Sequence, residues 1–295
     1  MDIQKNIPLA PYTSWLVGGF AEYFALPTTI EEVIQAQTWA QQQKLPMTIL
    51  GGGSNVLISD QGIKGLTICL KKLSGVETTE EHEHFKITAL AGTGKSELLK
   101  IFLKQKLAPA LFLAGLPGDV GGGVVMNAGV SENFTPREFV EITEWIDVLK
   151  PDGKIERIAA DQIHWRYRHS EGWQPGIIVR ACFAWPLQED ATILEQVKNA
   201  NKVRLSKQPL DMPSCGSVFV NPLGHKAAQL IDSCGLKGFA IGGAQVSQKH
   251  ANFIVNTNEA TAENIWQVIE HVKKTVLEQK NVALITEVIR LGSWK

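Results

Sequence analysis

Apolar residues recur at helical spacing over Ile30, Val33, Ile34 and Ala40, and Thr28 and Thr29 stand three residues before Glu31 and Glu32, as in an N-terminal capping box. A helix is predicted there, ended by Leu45 and Pro46, and residues 47–50 read as a short strand running into Gly51-Gly52-Gly53-Ser54-Asn55. Strand-like runs follow at 56–58, 85–90, 145–149 and 177–185, with Pro151-Asp152-Gly153 as a hairpin turn joining 145–149 to 155–158. Ser96 is expected to cap a helix whose apolar side carries Leu98, Leu99, Ile101 and Phe102. Past Pro186 the texture changes. A helix over about 191–205, a short one over 227–234 stopped by Gly235, and a long amphipathic one carrying Ile265, Val268, Ile269, Val272 and Val276 are predicted. A closing strand is expected at 282–291, and a domain boundary near Pro186.

That closing run places one carboxylate in an apolar setting. Alternation along a strand puts Glu287 on the same face as Ile285 and Ile289. If the strand is buried, the carboxylate either pairs or holds a proton; if it is an edge, Glu287 sits in water.

Composition narrows the class. The chain has 295 residues, 44% hydrophobic and 20% charged, with a formal net charge of -1. These values are those of an ordinary globular protein of two or three compact units, without the clustered Lys and Arg of a nucleic-acid or membrane-surface binder. Cys69, Cys182, Cys215 and Cys234 form no CxxC pair and no metal-ligand spacing, so no metal is expected. The polar start, residues 1–8, does not read as a signal peptide, and no apolar run nears the roughly 20 residues that span a bilayer. A reduced, cytoplasmic setting is the expectation.

Two glycine-rich stretches carry the chemistry. In Gly51-Gly52-Gly53-Ser54-Asn55, consecutive glycines let backbone N–H groups converge on one anion, and Ser54 and Asn55 add side-chain donors. A tight turn is the bland alternative; a Rossmann fingerprint fails because Val56 stands where its last glycine belongs. The run from Gly115 to Gly129, with Gly118, Gly121, Gly122 and Ala128, has the small residues that let backbone pack against a flat ligand carrying phosphates. Gly92-Thr93-Gly94-Lys95-Ser96 looks like the end of a Walker A loop, but Ala89 replaces the required glycine, and a turn before a capped helix explains it better.

Together with residues 11–19 (PYTSWLVGG), the Tyr167-Arg168-His169-Ser170 stretch, residues 213–219 (PSCGSVF), Lys249-His250-Ala251-Asn252 and Glu287-Val288-Ile289-Arg290, these motifs resemble the UDP-N-acetylenolpyruvoylglucosamine reductase family over nearly the whole chain. The C-terminal part resembles the shorter of the family's two forms, which lacks an inserted loop over the substrate. The resemblance implies an α+β fold: a vanillyl-alcohol-oxidase (PCMH) type FAD domain over 15–188, in lobes of about 1–72 and 73–188, and a substrate domain over 189–295. It implies non-covalent FAD, NADPH as hydride donor and UDP-N-acetylglucosamine enolpyruvate as substrate, with no nucleic-acid partner and no membrane insertion. It assigns the substrate carboxylate to Arg168, proton donation to Ser217 and stabilisation of developing charge to Glu287. Tyr167, Lys207 and Asn221 become substrate contacts, and Gly51, Gly52, Gly53, Ser54, Asn55, Gly118, Gly121, Gly122, Ala128 and Gly129 FAD contacts. Alternation alone does not choose between Ser217 and Cys215 as the acid, and Val220 stands where the family commonly has a polar residue. Another oxidase or dehydrogenase on the same flavin fold, and a silent flavin-binding module, are the alternatives.

Overall fold

A computed structural model describes residues 1–132 and 134–294. In chain order the first elements are β1 (Ile3–Pro8), β2 (Phe20–Ala25), α1 (Ile30–Gln42), β3 (Met47–Leu50), β4 (Val56–Ile58), β5 (Ile63–Cys69), β6 (Val76–Glu81) and β7 (His84–Leu90). Then come α2 (Lys95–Lys104), α3 (Pro109–Leu113), α4 (Val120–Val125), β8 (Thr143–Leu149), β9 (Ile155–Ala159), β10 (His164–Arg166), β11 (His169–Glu171) and β12 (Ile177–Pro186). The last third holds α5 (Ile193–Lys207), α6 (Ala227–Ser233), β13 (Ala240–Ile241), β14 (Ala244–Val246), β15 (Ile254–Asn256), α7 (Ala262–Lys280) and β16 (Ile289–Leu291). The mixture of helix and strand is the α+β class expected.

Two compact units divide the chain. The first comprises Met1–Gln4, Phe24–Gly52 and Leu66–Val203; the second comprises Lys5–Tyr23, Gly53–Gly65 and Arg204–Lys295. The boundaries fall inside β1, β2, β5 and α5 and between Gly52 and Gly53, so neither unit is one continuous stretch of chain.

The first unit is built on an antiparallel sheet in the order β6-β7-β12-β8-β9. Alternation along β7 buries Phe85, Ile87 and Ala89, and α2 lays Leu98 and Phe102 over them. Phe139 anchors this core, meeting Phe112 and Phe183 edge-on at centroid distances of 6.0 and 5.4 Å. Such edge-to-face packing adds modestly to simple area burial. Gly153, in the left-handed region at φ +82°, closes the β8–β9 hairpin as its Asp-Gly sequence predicts. In α1 the predicted cap forms: the Thr29 hydroxyl accepts from the Glu32 N–H at 3.2 Å, and the Glu32 carboxylate takes the N–H and hydroxyl of Thr28.

In the second unit, α7 buries Ile265, Val268, Ile269, Val272 and Val276 in a core shared with α6 and the β13-β14-β15 sheet. β16 runs parallel to β4, Ile289 opposite Val56.

Two local expectations need correction. Helix α2 begins one residue early, capped by Gly94 with no side-chain hydrogen bond, so Ser96 lies inside the first turn and is not its cap. The closing strand spans only 289–291. Residues 285–287 touch a different partner, with one isolated bridge between Thr286 and Phe219, and Ile285 and Ile289 are 68% and 41% exposed. A strand needs a continuous ladder on at least one edge. Here the partner changes at Glu287, and the apolar run is split.

Candidate active site

In the first unit the glycine stretches meet each other. Lys95 N–H donates to Gly118 O at 3.1 Å, Val120 N–H to Thr93 O at 2.9 Å, and Gly121 N–H to Ala91 O at 2.7 Å. The Walker-like segment is therefore a brace along the second glycine run. Much of the glycine requirement is internal: a Cβ on Gly52 would lie 3.1 Å from the Gly118 Cα, one on Gly51 2.7 Å from Asp119 Oδ2, and one on Gly121 3.0 Å from Ala91 Cβ. Asp119 caps α4, its Oδ1 accepting from Gly122 N–H at 2.7 Å. Both Asp119 and Lys95 are buried.

Gly53 and Ser54 fall in the second unit. Gly53 has φ +69°, and a Cβ there would sit 1.9 Å from the Tyr12 carbonyl oxygen, so no other residue fits without moving the chain. Among the described residues, nothing accepts a hydrogen bond from the N–H of Gly53 or of Ser54. Two such donors on consecutive residues suit an anion. Asn55 faces elsewhere, donating through Nδ2 to the Glu287 carbonyl at 3.0 Å.

Arg168 lies in the first unit. It is the second residue of the two-residue turn between β10 and β11, in the left-handed region at φ +54°. Its guanidinium donates to the Gly129 carbonyl at 2.7 Å and reaches Glu138 Oε1 at 3.4 Å, with only 12% of the side chain exposed. It also stacks over the Tyr167 ring at 4.5 Å. Asn127 steadies this arrangement, donating to Glu138 Oε2 at 3.2 Å and to the Arg166 carbonyl at 3.1 Å. A guanidinium fixed by a carbonyl, a carboxylate and a ring is preorganised, which favours planar recognition of a carboxylate over loose charge attraction. The Ala128 carbonyl is engaged by Phe139 N–H at 3.0 Å, so the 128–129 backbone supports the site from within.

The second unit holds the remaining predicted residues. Ser217 is exposed, whereas Cys215 is 6% exposed. Burial pushes the Cys215 thiol well above its ordinary value, and the charge of Glu287 pushes it further. Glu287 is half-buried, and its N–H donates to the Val218 carbonyl at 2.8 Å, one residue from Ser217. Val220 N–H donates to Ile285 O at 3.0 Å, so this position contributes backbone to the pairing.

Asn252 completes the arrangement; the sequence marked it only as the end of the Lys249–Asn252 motif, with no role assigned. It is buried; its Oδ1 accepts from Phe219 N–H at 2.9 Å, its Nδ2 donates to Phe219 O at 2.8 Å, and its carbonyl takes Val218 N–H at 2.9 Å. The residue fixes the segment after Ser217 on both its polar edges. Lys95, Asp119 and Glu138 were given no role either; Lys95 and Asp119 lie inside stretches already picked out, and Glu138 carries no such signal.

Lys207 is the exposed last residue of α5, a placement that complements the helix dipole. Asn221 is exposed, and its Oδ1 accepts from Ala227 N–H at 2.9 Å, closing the loop into α6.

Residues 21–159 match the model of an FAD binding domain, which defines the class: a flavoprotein. Residues 208–291 match the C-terminal domain of UDP-N-acetylenolpyruvoylglucosamine reductase. Proteins of that name from Limosilactobacillus fermentum and a Synechococcus strain are 39% and 40% identical, over 99% and 98% of this chain and 95% and 93% of theirs. The crystal structure of UDP-N-acetylenolpyruvylglucosamine reductase from Thermus caldophilus superposes with a TM-score of 0.82 at 28% identity, covering 99% of both chains. The chain belongs to the UDP-N-acetylenolpyruvoylglucosamine reductase family. No helix among the described residues is long and apolar enough to cross a membrane.

Proposed function

We propose that this protein reduces UDP-N-acetylglucosamine enolpyruvate to UDP-N-acetylmuramate in the synthesis of peptidoglycan precursors, with NADPH as hydride donor and non-covalent FAD. The observation that carries the reading is the identity of about two residues in five with reductases of that name over almost the whole chain. Residues 15–188 form the FAD domain and 189–295 the substrate domain, and the setting is the cytoplasm.

When bound, FAD would supply the hydride-transfer chemistry between NADPH and the enolpyruvyl methylene. The chain's own residues do the rest. The N–H groups of Gly53 and Ser54 would receive the cofactor's diphosphate, and the small residues Gly51, Gly52, Gly118, Gly121, Gly122, Ala128 and Gly129 would let the chain pack against FAD. Hydride addition pushes charge into the substrate carboxylate, and Arg168 binds that carboxylate while Tyr167 stacks on the guanidinium. Glu287 stabilises the enolate as it forms. Ser217 then gives its hydroxyl proton to the α-carbon; what supports it over Cys215 is its exposure, against a buried thiol that holds its proton tightly. A serine works as an acid only against a strong base in fixed geometry, and the Asn252 clamp on Phe219 provides fixed geometry two residues away. Lys207 meets the UDP diphosphate and Asn221 a polar group of the sugar nucleotide.

The test is NADPH oxidation by the purified yellow protein with and without UDP-N-acetylglucosamine enolpyruvate. Turnover that needs the substrate supports the reading. Oxidation indifferent to it, or peroxide formed without NADPH, rejects it.

A further inference from the structure

The Gly92–Ser96 brace has no task in the chemistry above, yet it holds a lysine in the protein interior. Lys95 is 5% exposed and Asp119 4% exposed, and the antiparallel bridge between Gly94 and Asp119 puts the two side by side in the chain packing. They do not close an ion pair, and the closest ring contact of the Lys95 ammonium is Phe139, at 5.4 Å from the centroid. Asp119 Oδ2 is buried with no hydrogen-bond partner. The N–H of Gly52 faces the carboxylate without closing a bond on Oδ2, and a Cβ on Gly51 would meet that oxygen at 2.7 Å. A carboxylate thus sits inside the junction of the two glycine stretches, the place where a diphosphate is to be received.

An anion there opposes an anionic ligand unless a cation offsets it, because like charges repel more strongly out of water. Lys95 is such a cation. Burial pushes it down to about 8, the Asp119 charge pulls it up, and Arg168 pushes it down. Burial likewise raises the Asp119 carboxyl, against the pull of Gly122 N–H and Lys95. The third group facing Asp119 is the Cys69 thiol, pushed up to about 11 mainly by burial and neutral at working pH.

We propose that Lys95 is a positioning residue for the flavin: it neutralises the buried Asp119 carboxylate so that the glycine loops accept the cofactor's diphosphate. This rests on the reading that residues 51–55 and 118–129 hold FAD. Lys95 need not touch the cofactor; it acts through Asp119.

The experiment measures FAD dissociation from the full-length holoenzyme, read as flavin fluorescence recovered on dilution, between about pH 6 and pH 9. Lys95→Met should weaken FAD by roughly tenfold or more at about pH 8, with affinity returning at the acid end as Asp119 takes up a proton. Asp119→Asn should bind FAD at least as well as the parent protein, and Lys95→Met/Asp119→Asn should match Asp119→Asn across the whole range. That acid rescue and that restoration are not expected of a lysine with a merely structural role. If Lys95→Met does not fold, the comparison of the double variant with Asp119→Asn still decides, since removing the lysine should cost nothing once the carboxylate is gone. Parent-like FAD affinity in Lys95→Met at about pH 8, or a double variant that binds worse than Asp119→Asn, overturns the proposal. Gly52→Val separates the two levels: undiminished FAD affinity there rejects the loop reading itself, whereas lost affinity with inert Lys95 variants rejects only the role of Lys95.

Discussion

The backbone N–H of Glu287 donates to the carbonyl of Val218 at 2.8 Å, so the main chain ties Glu287 to Ser217's neighbour. Glu287→Gln should therefore preserve the local pairing while removing the acid. Turnover should fall by roughly 10²–10³-fold, the usual loss of one preorganised group at developing charge, with little change in melting temperature. Steady-state NADPH oxidation and a thermal melt together check this.

Protonation belongs only to the second half of the reaction. Ser217→Ala should leave flavin reduction by NADPH nearly intact and slow reoxidation by the enolpyruvyl substrate by about 10²–10⁴-fold. Cys215→Ala should leave both halves near normal apart from a packing loss, since its thiol is buried and held protonated. Rapid-mixing absorbance at the flavin band resolves the two halves, and a Cys215→Ala protein that stalls in the second would reverse the assignment.

Asn252→Ala should lower stability and turnover together. Its side chain satisfies both the N–H and the carbonyl of Phe219, and leaving buried polar groups without partners costs about 1–3 kcal/mol each. Urea unfolding measures the first effect. The second should appear although Asn252 is given no contact with substrate, because the segment after Ser217 loses its clamp.

Lys95 should leave a signature in the pH dependence of stability. Its folded value of about 8 lies below that of a free lysine, so burial of the charge weakens the fold wherever lysine is protonated in both states. Between about pH 8 and 10.4 the unfolded chain binds more protons at this site, and its contribution to stability rises with pH. Lys95→Met lacks that rise. Denaturant unfolding should find the stability gap between variant and parent shifting in the parent's favour between about pH 8 and 10. A gap constant with pH would mean that Lys95 is not the titrating group.

Local pattern was enough for much of this molecule. The Thr29 cap, the hairpin at Gly153 and the apolar face of α7 depend on residues within a few positions of each other, where side-chain period and turn chemistry act directly. The motifs that pointed to the family, from Gly51-Gly52-Gly53 to the serine of residues 213–219, were likewise visible as short runs. Tertiary structure decided what no period encodes. An apolar run from 282 to 291 reads as one strand, but Thr286 meets Phe219 and Ile289 meets Val56, so the run changes partner midway, and its alternation buries Leu284 and Val288 while leaving Ile285 and Ile289 exposed. Cys215 and Ser217 share a phase in the sequence, and only the surrounding core buries one and leaves the other in water. In the sequence Lys95 is only part of a turn before a helix; hydrogen bonds to a segment more than twenty residues away draw it inside, near Asp119. In each case the deciding free energy is desolvation, which depends on what distant chain covers the group and not on the residues beside it.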